Sequence, residues 1–251
     1  MASTSFSRSN SIMLVASLAA VYAILRIIPT FPLVGVPGAY FSVADVIASL
    51  YGILLGPYLG PLSIMLGTFI GYFGGRPPVF LGLDFMPAAI NSIVVGFIIR
   101  GKRKYSIIIY LVLLALFFFH PYAPRMIQVG LYFGENSFTF PFVWMHIIGL
   151  IILVSPVGTH ISRLINEKSI KMSAIGFLFL SLIGTLSQHL MGNLLFSSII
   201  LPTLSAEAAN TIWWGIFWVY PIERVIIVIL SLIIGLPIIR TLGTSIVNIT
   251  K

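Results

Sequence analysis

In a chain that is 59% hydrophobic, the side chains able to do chemistry fall into three groups. Asp84 and Asn91 stand seven residues apart with Pro87 between them, a spacing that puts both on one face of a helix. Gln188, His189 and Asn193 form the second group, the last two at i, i+4. Tyr220, Glu223 and Arg224 form the third, around Pro221 and preceded by Trp213, Trp214 and Trp218. Polar groups are costly to hold in an apolar setting, and those that persist mark ligand sites or proton paths. Asp84, Asn91, Gln188, His189, Asn193, Trp218, Glu223 and Arg224 are therefore the candidate substrate-binding residues. Glu223 and Arg224 admit a second reading, as a pair that neutralises itself. Trp213 and Trp214 fit an interfacial aromatic belt, whereas Trp218 is placed deeper, with the pocket.

The same residues argue against an enzyme. His120, His146, His160 and His189 accompany no serine motif of the hydrolase kind. There is no His-Glu-x-x-His, acids are too sparse for a metal cluster, and cysteine is absent. No Gly-x-x-x-x-Gly-Lys-Ser/Thr loop is present for nucleotide hydrolysis. No metal or cofactor is expected. Binding and transport remain. In a secondary transporter Asp84, Glu223 or His189 would relay protons, although no inverted repeat supports that arrangement.

The elements that must position these residues are membrane helices. The mean hydropathy is +1.09 and 8% of residues are charged, which places the chain among polytopic helical membrane proteins. The short alternating segments of a β-barrel are absent. Eight helices are predicted, at 11–29, 41–56, 58–73, 83–100, 105–119, 142–162, 172–200 and 211–241, forming an all-α transmembrane bundle over 1–251 as a single integral membrane domain. The first apolar run lacks a small-residue cleavage site and is read as a retained span.

The net charge of +8 is a topology signal and not a nucleic-acid surface. Arg8, Arg100, Lys102, Arg103, Lys104, Arg163, Lys168, Lys171, Arg240 and Lys251 fall on one set of flanks, ten of the fourteen basic residues. Asp45, Asp84, Glu135, Glu207 and Glu223 fall on the other set. Positive flanks stay inside, so both termini are expected to be cytoplasmic, in the cell membrane. The outer loops are then 30–40, 74–82, 120–141 and 201–210, and 120–141 reads either as a pocket cap or as an ordinary surface loop. Arg26, near the outer end of the first span, is expected to snorkel to the interface.

Two small-residue patterns stand out. Gly52, Gly56 and Gly60, then Gly67, Gly71 and Gly75, recur at four-residue spacing through 44–72, which reads as a hairpin turning at Gly56-Pro57 and Gly60-Pro61. Small-xxx-small faces let helix backbones approach closely, so this hairpin is expected to be internal. Ala16, Ala19, Ala20 and Ala23 give the first helix a flat strip on which another helix can lie.

Residues 44–73, with the core LLGPYLGPLSIMLGTFIGY, resemble the corresponding region of the S components of energy-coupling factor (ECF) transporters. The Ala16/Ala20 and Ala19/Ala23 strip looks like that family's first-helix docking face, and Tyr220-Pro221-Ile222-Glu223-Arg224-Val225 looks like the approach to its last helix. The resemblance covers about the first hundred residues well and the last forty loosely. It implies a six-helix core, with 105–162 as an inserted helix pair. It also implies capture of a vitamin-like small molecule from outside, and docking on a transmembrane coupling protein that carries two ATPase subunits.

Overall fold

The computed structural model describes residues 8–130 and 137–242. Glu135 and Lys251, used above to orient the chain, lie outside the described residues, as does part of the 120–141 loop. Helix α1 (Arg8–Ile27) is followed by β1 (Pro29–Pro32), β2 (Tyr40–Ser42) and the short helices α2 (Val43–Val46) and α3 (Ala48–Leu54). Next come α4 (Gly56–Phe73), α5 (Met86–Ile99) and α6 (Arg103–Phe118). A hairpin of β3 (Met126–Gly130) and β4 (Ser137–Pro141) leads to α7 (Trp144–Val154) and α8 (Pro156–Ile165). Then α9 (Ile170–Leu195) runs into a π-helical turn at Phe196–Ile200 and a 3-10 turn at Leu201–Thr203 before α10 (Ala206–Leu242).

The described residues thus form a helical bundle, with two amendments to the all-α reading. Two connections expected to be irregular, 30–40 and 120–141, carry antiparallel ribbons; β3 and β4 pair from Met126 opposite Pro141 to Gly130 opposite Ser137. Ile127 and Val129 alternate inward, the period-two signature of a half-buried strand. Two of the eight predicted helices are each broken in two, giving ten α-helices among the described residues. The break between α7 and α8 bends the chain by 74° at Ser155-Pro156. A residue before proline is pushed out of the helical region, and Ser155 is accordingly extended. The carbonyls freed there, Leu153 and Ser155, accept from the Arg103 guanidinium at 3.0 and 2.9 Å.

Three helical stretches, 10–27, 170–203 and 206–241, are long and apolar enough to cross a membrane, and the bent α7–α8 pair makes a fourth if counted as one span. α5 and α9 pack together at the centre, with α3 and α4 on one side of α5 and α7, α8 and α10 against α9. Glycines mark the close crossings: a Cβ at Gly52 would meet the Ser92 carbonyl at 2.5 Å, and one at Gly96 would meet the Pro57 nitrogen at 2.5 Å.

The 44–72 hairpin turns more sharply than its sequence suggests. α3 ends at Leu54 and α4 begins at Gly56, whose φ of +84° only glycine adopts freely. Pro57 then sits in the first turn of α4, where its missing N–H has no helical partner in any case, so Gly60-Pro61 belongs to the helix and not to the turn. All of α3 is buried, as expected, but α4 is not internal. Tyr58, Leu62, Leu66, Phe69, Ile70 and Phe73 leave it with a bare apolar face.

The alanine strip divides between two surroundings. Ala19 and Ala23 are covered by the protein itself, because α1 lies on α4, whereas Ala16 and Ala20 are exposed. Ser63 Oγ donates to the Val15 carbonyl at 3.0 Å, and a Cβ at Gly67 would stand 2.6 Å from the Ala19 carbonyl. Gly67→Leu is accordingly expected to lower stability by about 1–3 kcal/mol through overpacking, read as the unfolding midpoint in detergent. An unchanged midpoint would mean that α1 and α4 do not meet there.

Candidate functional site

One cleft gathers most of the polar side chains. The space between its walls, with its open mouth included, is about 870 Å³. Its walls come from the end of α1, the β1–β2 hairpin, α2, the 74–85 connection, and facing parts of α9 and α10. No described residue between 88 and 187 lines it, so the 105–162 segment meets the cleft only from behind, where Phe142 and His146 back Tyr220 and His189. Lys171 opens α9, whereas Asn193 lies near its end, so the cleft and the exposed basic α8–α9 connection occupy opposite ends of that helix. Ser162 Oγ to the Ile99 carbonyl (3.0 Å) and Arg240 to the Lys168 carbonyl (2.9 Å) draw the other basic segments to the same far end.

A chain of hydrogen bonds runs beneath the cleft. Ser49 Oγ donates to Asn91 Oδ1 at 2.9 Å, Asn91 Nδ2 to Gln188 Oε1 at 2.8 Å, and Gln188 Nε2 to Asp45 Oδ1 at 3.4 Å. Asp45 Oδ2 accepts from the Ser42 N–H (2.8 Å) and hydroxyl (2.7 Å). α2, α3, α5 and α9 are thereby joined through side chains alone.

Two ion pairs flank this chain. Arg26 Nη2 lies 3.6 Å from Asp84 Oδ1, both side chains buried. Asp84 also accepts from the N–H groups of Val79 (2.9 Å) and Phe80 (3.2 Å) and from the Tyr72 hydroxyl (3.1 Å), which closes the 74–85 connection over the end of α4. Arg224 Nη2 lies 3.5 Å from Glu223 Oε2, Arg224 Nη1 donates to Thr185 Oγ1 at 3.3 Å, and its guanidinium sits 5.2 Å over the Phe41 ring. Arg76 donates to the carbonyls of Arg26 and Tyr40 and covers the Tyr40 ring at 4.4 Å. Its burial pushes the guanidinium below its usual range, against the pull of Asp45. On the remaining wall His189 stacks on Tyr220 at 4.8 Å, and His146 Nε2 stands 3.0 Å from His189 Nδ1.

Of the residues singled out from sequence, Asp84, Gln188, His189, Asn193, Glu223 and Arg224 line this cleft together. Asn91 lies one layer below, 1% exposed, and touches the cleft only through Gln188. Trp218 is elsewhere: 47% exposed, it packs edge-on against Trp214 on the outside of α10. The buried tryptophan is Trp213, which donates to the Tyr122 carbonyl at 2.9 Å among Phe117, Phe142 and Phe196. Helix phase decides this, since residues five apart on α10 face different ways. Arg26 does not snorkel, because Asp84 is within reach and the residue is 3% exposed.

Arg26, Asp45 and Arg76 are not among the substrate-binding residues expected from sequence, and neither is His146. Asp45 carried a legible signal, the Ser-x-x-acid spacing of a capping box from Ser42. Arg76 carried none; it reaches the cleft only because α1 and β2 present carbonyls to it.

No family model matches the sequence, and no solved structure matches it. The chain is similar to the uncharacterized protein MJ0923 of Methanocaldococcus jannaschii, 29% identical over 150 residues, which cover 59% of this chain and 46% of that protein. The match thus spans less than half the length of that relative.

Asn91→Ala strands the Ser49 hydroxyl and the Gln188 amide, and is expected to cost about 1–3 kcal/mol per unpaired group. Unfolding in detergent measures this, with Trp218→Ala as a control expected to leave both stability and retained small molecules unchanged.

Proposed function

We propose that this chain is the substrate-capture subunit of an ATP-driven importer for a vitamin-like micronutrient. It is an integral, multi-pass protein of the cell membrane with cytoplasmic termini. It takes its substrate from outside into the cleft and docks on a transmembrane coupling protein that carries two ATPase subunits. The observation that carries this reading is the cleft itself, a hollow in which apolar and aromatic walls frame a set of fixed charged and polar groups, at the end of the bundle opposite the basic connections. Small-molecule sites have that form, and the positive-inside rule puts that end outward. Among the described residues none from 88–187 lines the cleft, which fits a smaller S-component-like core with an added segment.

A second reading is favoured by the contact of His146 with His189 just behind the cleft wall. In a stand-alone secondary transporter these rings and Glu223 relay protons. Purification from native membranes separates the two. A coupling protein and an ATPase pair are expected to accompany the chain, and uptake into intact cells is expected to persist when an uncoupler is added at constant ATP. Uptake that collapses under those conditions, with no ATPase bound, supports the second reading instead.

The exposed half of the alanine strip gives a sharper test. Ala20→Trp adds bulk where the protein's own helices do not reach. It is expected to abolish co-purification of the ATPase pair while leaving the retained small molecule unchanged by mass spectrometry. Loss of that molecule with assembly intact would reverse the assignment of the strip.

A further inference from the structure

The cleft's charges balance in number but not in hydrogen bonding. Three carboxylates, Asp45, Asp84 and Glu223, face three guanidiniums, Arg26, Arg76 and Arg224. Asp84 and Asp45 are already engaged, the first by two backbone N–H groups, a hydroxyl and Arg26, the second by Ser42 and Gln188. On the arginine side, donors are left over. Arg26 is 3% exposed and Arg224 0%, and the Nε of each is buried with no hydrogen-bond partner among the described residues. A buried donor without an acceptor is destabilising, and a ligand that brings acceptors into the cleft would satisfy these two.

The form of those donors narrows the ligand. A guanidinium presents Nε–H and one Nη–H as a parallel fork that matches the two oxygens of a carboxylate. At Arg224 that edge is contested only by Glu223, whose contact is 3.5 Å long and whose carboxylate makes no other hydrogen bond among the described residues. Next to Arg224 the walls are rings: Phe41 beneath the guanidinium and the His189–Tyr220 stack. Aromatic bodies pack favourably on such rings, offset-stacked or edge-on, beyond simple burial.

We propose that the cleft takes a small organic acid, a carboxylate joined to a compact ring or apolar body, with Arg224 as its anchor and Arg26 as a second donor. This rests on the capture reading above and names the class of molecule captured. Glu223 acts as the internal stand-in for the ligand's carboxylate, holding Arg224 at long range until the ligand takes the fork.

The test is equilibrium binding to the purified full chain in detergent, with benzoate, nicotinate and phenylacetate set against their primary amides and against benzylamine. At least one acid is expected to bind, and the amides and the amine to bind at least ten-fold more weakly. Arg224→Gln is expected to weaken the acid ten-fold or more. Glu223→Gln, which removes the competing carboxylate, is expected to tighten it several-fold. That second variant decides the sign even if Arg224→Gln does not fold. Amide or amine binding with no preference for the acid, or an acid weakened by Glu223→Gln, overturns the organic-acid assignment while the capture reading stands. If no compound binds and no small molecule is retained after mild extraction, both fall.

Discussion

The structure turns on a chain of side-chain hydrogen bonds through its apolar interior, from Ser49 through Asn91 and Gln188 to Asp45 and Ser42. Amide and carboxylate groups at this depth stay buried only if each finds a partner, because water is not available to take over. Every link lies on a different helix or turn from the next, except the last, so the chain sets α3, α5, α9 and α2 in one register. A network of this kind rigidifies when all its members are satisfied. It also holds Gln188 and Asp45 at the base of the cleft, facing the ligand space.

Around that base the helices stop being regular. α1 ends at Ile27, the β1–β2 hairpin and the 74–85 connection fold over, α9 loosens into a π turn, and α10 carries Pro221. Irregular buried backbone is tolerable where side chains satisfy its polar groups. Asp84 does so for the N–H groups of Val79 and Phe80, and Arg76 for the carbonyls of Arg26 and Tyr40. The groups that close the cleft's walls are thus the same ones that charge its interior, and Arg26 and Asp84 serve both purposes.

Much of this was legible residue by residue. His189 and Arg224 stood out because ionisable groups are rare in apolar helices; Asp84 stood out for the same reason, although α5 begins only at Met86 and leaves it in the 74–85 connection. Gly52 and Gly67 marked close crossings through their spacing alone, and both are crossings. Trp218 misled because its type suits a pocket while its helical phase turns it outward. Trp213, five residues earlier, is the one buried. Arg26 misled for the opposite reason: snorkelling is the default for an arginine near a helix end, and only a carboxylate 58 positions along the chain cancels it.

Sequence by itself determined the helical class, the placement of the apolar segments and the short inventory of polar groups, because these follow from local composition and period. It also marked the break at Gly56-Pro57, where backbone chemistry acts over one or two residues, but read straight through Ser155-Pro156 as one helix over 142–162. Tertiary structure alone decided which polar groups meet. It set Asp45 against Gln188 and Arg26 against Asp84, left Ala20 bare while covering Ala19, and turned one face of α4 outward. Those outcomes depend on the rotation of each helix about its axis, which is settled by packing against neighbours distant in sequence and not by the residues of the helix itself.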